Sequence, residues 1–174
     1  MMETMVAAGL AAFVLLGILQ TFLFIGKTSY NASNYCVMEE QSRRAMETFG
    51  EEVRQASAIT WNSSSSVTLT VPTSSGNITV NYIYDSSTSG STAQCFYRQV
   101  GSGTPLILVR NVTAFAFERY ELVIGTGSNI ASNDLSTKQL QMTLQTTMKG
   151  VTAAAATNAV LSARYILRNK SVSS

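Results

Sequence analysis

The chain has 174 residues, enough for one domain with an appendage, and its net charge of +2 is too small to indicate nucleic-acid binding. Charged residues make up only 13% of it, and serine and threonine replace them, as is typical of extracellular β-rich proteins. Histidine is absent, which removes the commonest general base and the commonest metal ligand. We therefore expect a protein that is not an enzyme and that binds no metal or cofactor.

An uncharged apolar segment occupies positions 4–26 near the N-terminus. As an α-helix its 23 residues extend ~30–35 Å, which is enough to cross the hydrocarbon core of a bilayer. Lys27 ends the segment, and Tyr30 and Tyr35 follow as residues typical of a membrane interface. A cleavable signal peptide would show a basic region before a shorter apolar core. The pattern instead predicts a retained transmembrane helix over 1–26.

Helical sequence continues beyond this segment to about Ser57. Positions 32–57 contain no proline, and apolar residues recur there at spacings of three, four and seven, which predicts an amphipathic helix over 27–57. The predicted apolar stripe consists of Val37, Met38, Ala45, Met46, Phe49, Val53 and Ala56. Opposite charges on the other face predict the ion pairs Glu39–Arg43 and Arg44–Glu47. Together the two segments predict one helix of roughly 80 Å.

After Ala58 the pattern changes to alternating apolar and polar residues, which is typical of strands. Residues 67–71 and 77–84, with a turn around Ser74-Ser75-Gly76, predict a β-hairpin. Further strands are predicted over 94–100, 105–110, 112–123, 138–148 and 160–169, while 153–156 suits a helical turn or a loop. The sequence therefore predicts an α+β fold, with the long N-terminal α-helix packed against a mainly antiparallel β-sheet that forms a globular head over 58–174.

The two cysteines, Cys36 and Cys95, are too far apart in the sequence to form a CxxC motif. They are either one disulfide bond formed in an oxidising compartment or two separate buried thiols. Sequence spacing does not show whether their Cβ atoms meet. We predict the disulfide bond, which would tie the outer part of the helix to the sheet.

Asn-X-Ser/Thr sequons are candidate sites of N-glycosylation in secreted proteins. Several sequons arise by chance in a chain this rich in asparagine and serine, so these remain candidates only. They occur at Asn31, Asn62, Asn77, Asn111 and Asn169.

The N-terminal sequence resembles the mature N-terminus of type IV pilins and type II secretion pseudopilins. The resemblance is carried by Glu3, then Met5-Val6-Ala7-Ala8 and the apolar run in MMETMVAAGLAAFVLLGIL. Residues 111–115 and 163–169 are similar to the closing strands of a minor pseudopilin subgroup. The chain departs from the family in two ways: its glutamate is the third residue instead of the fifth, and Gln20 replaces the proline that many major pilins carry in this helix.

The resemblance implies that Glu3 pairs with the α-amino group of a neighbouring subunit inside a filament and so sets the axial register. The alternative is that Glu3 lies among lipid headgroups or stabilises its own helix N-terminus. Apolar side chains of this segment would face lipid before assembly and identical helices afterwards, whereas a plain monomeric anchor would keep them in lipid. The assembly residues implied in this way are Leu10, Phe13, Val14, Leu15, Leu16, Ile18 and Phe22.

We therefore expect a structural subunit of a type IV pilus-like extracellular filament, a helical homopolymer that is anchored in the inner membrane before assembly and lies at the cell surface afterwards. The partners implied by the resemblance are a prepilin peptidase and the pilus or secretion assembly machinery. One alternative is a low-copy minor pseudopilin of a type II secretion-like pseudopilus. An alternative of another class is a membrane-anchored extracellular binding or adhesion module, which a cluster of aromatic and basic residues would favour.

Overall fold

The computed structural model describes residues 1–122, 129–148 and 157–170, so the segment 153–156 lies outside the described residues. Among these residues one helix precedes eight strands, and the predicted α+β fold is confirmed. The elements are α1 (Met2–Gln55), β1 (Ala58–Ser63), β2 (Ser66–Thr73), β3 (Gly76–Asp85), β4 (Cys95–Val100), β5 (Leu106–Val109), β6 (Val112–Tyr120), β7 (Gln139–Met148) and β8 (Thr157–Ile166).

The strands are divided between two antiparallel sheets, in which consecutive strands are neighbours. The larger sheet has the order β1-β2-β3-β4-β5 and the smaller one has the order β6-β7-β8. The chain passes from one sheet to the other through Arg110 and Asn111, and Asn111 adopts a left-handed φ of 56°. Two residues between strands usually form a hairpin, but here β5 pairs with β4 and β6 pairs with β7.

The second half of α1 packs on both sheets and supplies the centre of the core. It contacts β2 and β5 of the larger sheet and β7 and β8 of the smaller one. The predicted apolar stripe is buried except for Val37, which is 41% exposed because it lies about 100° around the helix from the buried Met38. Phe49 is fully buried, with its ring centroid 4.9 Å from that of Tyr82 and 5.3 Å from that of Phe117. These aromatic contacts join the helix to both sheets.

Gly50 allows β8 to approach the helix closely. A Cβ atom at this position would lie 2.5 Å from Cε1 and 2.9 Å from Cδ1 of Tyr165. The Tyr165 hydroxyl donates a hydrogen bond of 2.9 Å to the carbonyl of Met46, one turn earlier in α1. The ring therefore occupies space beside the helix that only glycine leaves open at position 50.

A half-buried ion pair joins the end of α1 to the larger sheet. The Arg98 guanidinium on β4 donates to both carboxylate oxygens of Glu52, and its Nε lies 2.9 Å from Oε1. The Tyr82 hydroxyl donates to Oε2 of the same carboxylate at 2.5 Å. Burial, and then the hydrogen bond to Glu52, raise the pKa of Tyr82 far above its usual value, so this hydroxyl stays protonated and remains a donor. The hydrogen bond to Glu52 also raises the pKa of Arg98.

The predicted surface ion pairs are partly confirmed. Arg43 binds Glu39 at 2.8 Å as expected. Arg44 instead pairs with Glu40, four residues earlier, and not with Glu47. Both pairs are largely exposed, so they contribute little to stability.

Candidate functional site

The first half of α1 is exposed along its whole length. All residues from 1 to 30 are exposed, and the most apolar 18-residue window of the helix has a mean hydropathy of 2.3 with none of it buried. Length and composition are those of a helix able to cross a membrane. A helix that is apolar on every side has no face suited to water, so this segment requires a lipid or protein environment.

The assembly residues predicted from the resemblance all lie on this exposed half. Their exposed fractions range from 54% to 77%, and no described residue of the head covers any of them. The seven are distributed around the helix and do not form one stripe: Leu10, Phe13, Val14, Leu15, Leu16, Ile18 and Phe22. The chain by itself therefore offers them no partner among the residues that the structure describes.

Glu3 lies in the first turn of α1 and is exposed. The backbone N–H groups of a first turn carry partial positive charge, which favours a carboxylate there. Within the described part of the chain Glu3 forms no ion pair. Its charge is thus available to a group from another molecule, and its pairing with a neighbouring subunit stays a prediction.

The threonine side chains of the exposed helix are satisfied by the helix itself. Thr21 donates to the carbonyl of Gly17 at 2.9 Å, and Thr28 donates to that of Phe24 at 3.0 Å. Such bonds to the preceding turn let a hydroxyl group lie in hydrocarbon at low cost. The sequence did not reveal this arrangement because hydroxyl rotamers carry no periodic signal.

The shape of the molecule, one long apolar N-terminal helix packed on antiparallel sheets, is compatible with that of a pilin. No protein-family model, curated protein or solved structure matches this chain. The resemblance therefore stands on the N-terminal residues and on this shape.

The two cysteines are not bonded to each other, so the predicted Cys36–Cys95 disulfide is wrong in this structure. Cys36 is exposed on α1, two residues before the buried Met38. Positions two apart on a helix point about 200° apart, so Cys36 faces away from the sheets. Cys95 is buried at the start of β4, where its thiol donates to the carbonyl of Ala93, and burial raises the pKa of this thiol.

The sequons differ in how accessible their asparagine side chains are to a modifying enzyme. Asn77 and Asn111 are exposed and lie at turns, Asn77 beside Gly76 and Asn111 at the crossing between the sheets. The amide nitrogen of Asn62 binds two hydroxyl groups of β2, and that of Asn169 donates to the carbonyl of Gln55. Asn31 is half-buried on α1. Asn77 and Asn111 are therefore the most accessible candidates for N-glycosylation.

Aromatic and basic residues that are scattered in the sequence meet beside a cleft of about 330 Å³. The Arg119 guanidinium lies 5.1 Å from the ring centroid of Trp61 and 2.7 Å from an oxygen of Asp134. The Arg164 guanidinium lies 3.7 Å above the ring of Tyr120. Both basic groups are engaged by partners within the chain, and the binding-module interpretation stays a prediction.

Proposed function

We propose that this protein is a structural subunit of a type IV pilus-like extracellular filament. The first half of α1 holds the subunit in the membrane before assembly and packs against the same segment of other subunits afterwards. The observation that carries the proposal is an apolar helix, exposed on every side, that is continuous with a second half packed into the head.

The free energy of covering this segment is large once it leaves the membrane. In lipid the helix has no hydrophobic tendency to associate, because acyl chains are as apolar as leucine. In water, burying ~1,500 Å² of its surface against other helices at ~25 cal/mol/Å² corresponds to tens of kcal/mol as an upper bound. Exposed ion pairs contribute only ~0–1 kcal/mol each. The helix is therefore the segment on which polymerisation depends.

The head is attached to the same helix by side-chain packing and an ion pair. Tyr165 packs over Gly50, and Arg98 holds Glu52, so both sheets are attached to the second half of α1. A helix that enters the filament core then carries its head in a defined orientation. This arrangement supports a polymer with helices inside and sheets outside.

Glu3 has a specific role in the proposed filament. A carboxylate at the end of an apolar core is costly unless a positive group of another subunit pairs with it. Since this pair forms only when the helices are in one axial position, it selects the register of the neighbouring subunit.

Shearing of cells that express the protein tests the proposal. We expect filaments by electron microscopy, and we expect mass spectrometry to identify this chain as their subunit. Leu15→Ala combined with Leu16→Ala removes apolar area but retains good helix formers, so filament yield should fall while the protein stays in the membrane fraction.

The matched control replaces both members of the exposed pair Glu40–Arg44 with alanine, which changes the same number of residues on the same helix. Its filament yield should be normal. An absence of filaments containing this chain, or equal yields from the two double variants, would contradict the proposal.

A further inference from the structure

Gln20 carries the one side-chain amide in the apolar segment 4–26. Unlike the hydroxyl groups of Thr21 and Thr28, this amide forms no hydrogen bond with any described residue of the chain. It projects from an exposed helix with two N–H donors and one carbonyl acceptor unused.

The depth of Gln20 makes these unused groups costly in a membrane. With positions 4–26 spanning the hydrocarbon core, Gln20 lies six residues before Gly26, or ~9 Å inside the boundary at 1.5 Å per residue. Its short side chain does not reach the headgroups from there, whereas the longer chain of Lys27 starts at the boundary. An amide without partners in hydrocarbon costs several kcal/mol.

A second copy of the same helix supplies the matching partner. An amide is both donor and acceptor, so two glutamines satisfy each other. The membrane fixes the depth and direction of each copy, because Lys27 and the head lie at the same end of the helix. In parallel copies Gln20 therefore meets Gln20, the one side-chain amide at that depth.

The side of the helix that carries Gln20 holds two glycines as well as the large side chains of Phe13 and Phe24. At 100° per residue, Gly9 lies about 20° and Gly17 about 60° around the helix from Gln20. No atom lies within 4 Å of a Cβ built at either glycine. Small residues on the same side as a polar residue are typical of helix–helix interfaces in membranes.

We propose that two membrane-inserted subunits form a parallel dimer through a Gln20–Gln20 hydrogen-bonded pair before they enter the filament. The inference rests on the membrane-stored stage of the proposed function and adds to it a defined contact between subunits. The form of the protein stored in the membrane before assembly is then a pair of chains and not a single chain.

Energy transfer between full-length chains in lipid vesicles tests the dimer. Cys36 is exposed and Cys95 is buried, so thiol-reactive donor and acceptor dyes label Cys36 of the folded protein. The wild type should show energy transfer that decreases as lipid dilutes the protein. Gln20→Leu should weaken association by about 3- to 30-fold, the range expected for side-chain hydrogen bonds between membrane helices.

Two further variants distinguish the contribution of the amide to association from general effects of a substitution in this part of the helix. Gln20→Asn keeps an amide and should retain more association than Gln20→Leu. Thr21→Val alters the adjacent residue, whose hydroxyl is already bonded to Gly17, and should leave energy transfer unchanged.

Vesicle flotation, measured on the same samples, distinguishes failure of the dimer from failure of the proposed filament subunit. Floated wild-type protein that shows no energy transfer, or equal transfer from wild type and Gln20→Leu, overturns the dimer and leaves the proposed filament subunit standing. Wild-type protein that does not float with the vesicles overturns both.

Discussion

Replacing Gly50 with alanine places a methyl group where the Tyr165 ring lies. The added Cβ would be 2.5 Å from Cε1 of the ring, whereas ordinary contacts are 3.4–4 Å, so the ring must move by about 1 Å. That movement disturbs the 2.9 Å hydrogen bond to the Met46 carbonyl and the edge contact with Phe49. The same substitution otherwise favours a helix.

These opposing effects can be compared in free energy. Overpacking in a well-packed contact costs about 1–3 kcal/mol, and the hydrogen bond contributes about 0.5–1.5 kcal/mol. Alanine is better than glycine inside a helix by about 1 kcal/mol. We therefore expect Gly50→Ala to lower the free energy of unfolding by about 1–3 kcal/mol.

Urea denaturation of the full chain in a mild non-ionic detergent measures this change. Trp61 is the only tryptophan and lies half-buried on β1, so its fluorescence reports unfolding of the head. The midpoint should fall without a change in the slope against denaturant.

A double-mutant cycle provides the control. In a Tyr165→Leu background the ring is gone, so Gly50→Ala should be neutral or stabilising by up to about 1 kcal/mol. If Gly50→Ala stabilised the protein with Tyr165 present, the ring would move without cost, and the close helix–sheet contact would not hold the head.

Three other predictions concern charge and thiols. Glu52→Gln should lower the free energy of unfolding by about 2–4 kcal/mol in the same assay, because Arg98 loses its charged partner in a half-buried site; an unchanged midpoint would show that the pair has no net effect. Native protein should react with a thiol reagent at Cys36 only, and Cys95 should react after unfolding; a mass two hydrogens lower under non-reducing, denaturing conditions would instead reveal a disulfide. Glu3→Gln should leave unfolding of the head unchanged but reduce filament yield, and a normal yield would exclude its register role.

The helix and most strands could be predicted because their signals are local. The apolar run and the stripe that ends near Val53 specify a helix within a few residues, and the hairpin of β2 and β3 follows from two alternating segments around Gly76. Strand β1 was not predicted. Ile59 is its one buried residue, and the alternation of Ile59 and Trp61 with polar residues ends at the serine run 63–66.

The division into two sheets could not be predicted, because it depends on long-range pairing. Two residues, Arg110 and Asn111, separate β5 from β6, and such a spacing usually indicates a hairpin. The contact between Gly50 and Tyr165 likewise joins positions more than 100 apart, and no local pattern indicates it. The disulfide prediction failed for a different reason: the predicted stripe already placed Cys36, about 200° around the helix from Met38, on the face away from the sheets.

The exposed half of α1 was predictable because a helix that is apolar on every side has no surface for water. Its one side-chain amide, that of Gln20, stood out in the sequence only as the residue at a family proline. The structure adds that its amide forms no hydrogen bond with a described residue, while the hydroxyl of Thr21 beside it is bonded to Gly17. Which molecule covers the helix depends on contacts between chains, and no periodicity within one chain specifies them.

The response of purified filaments to salt and detergent tests the central claim most directly. A polymer built on apolar helices should survive molar salt, because screening removes only surface ion pairs of ~0–1 kcal/mol each. Detergent that coats the first half of α1 should dissociate the same filaments into folded subunits. Sedimentation of filaments after each treatment measures both responses. Filaments that dissolve in molar salt and survive detergent would show that the heads, and not the helices, hold the polymer together.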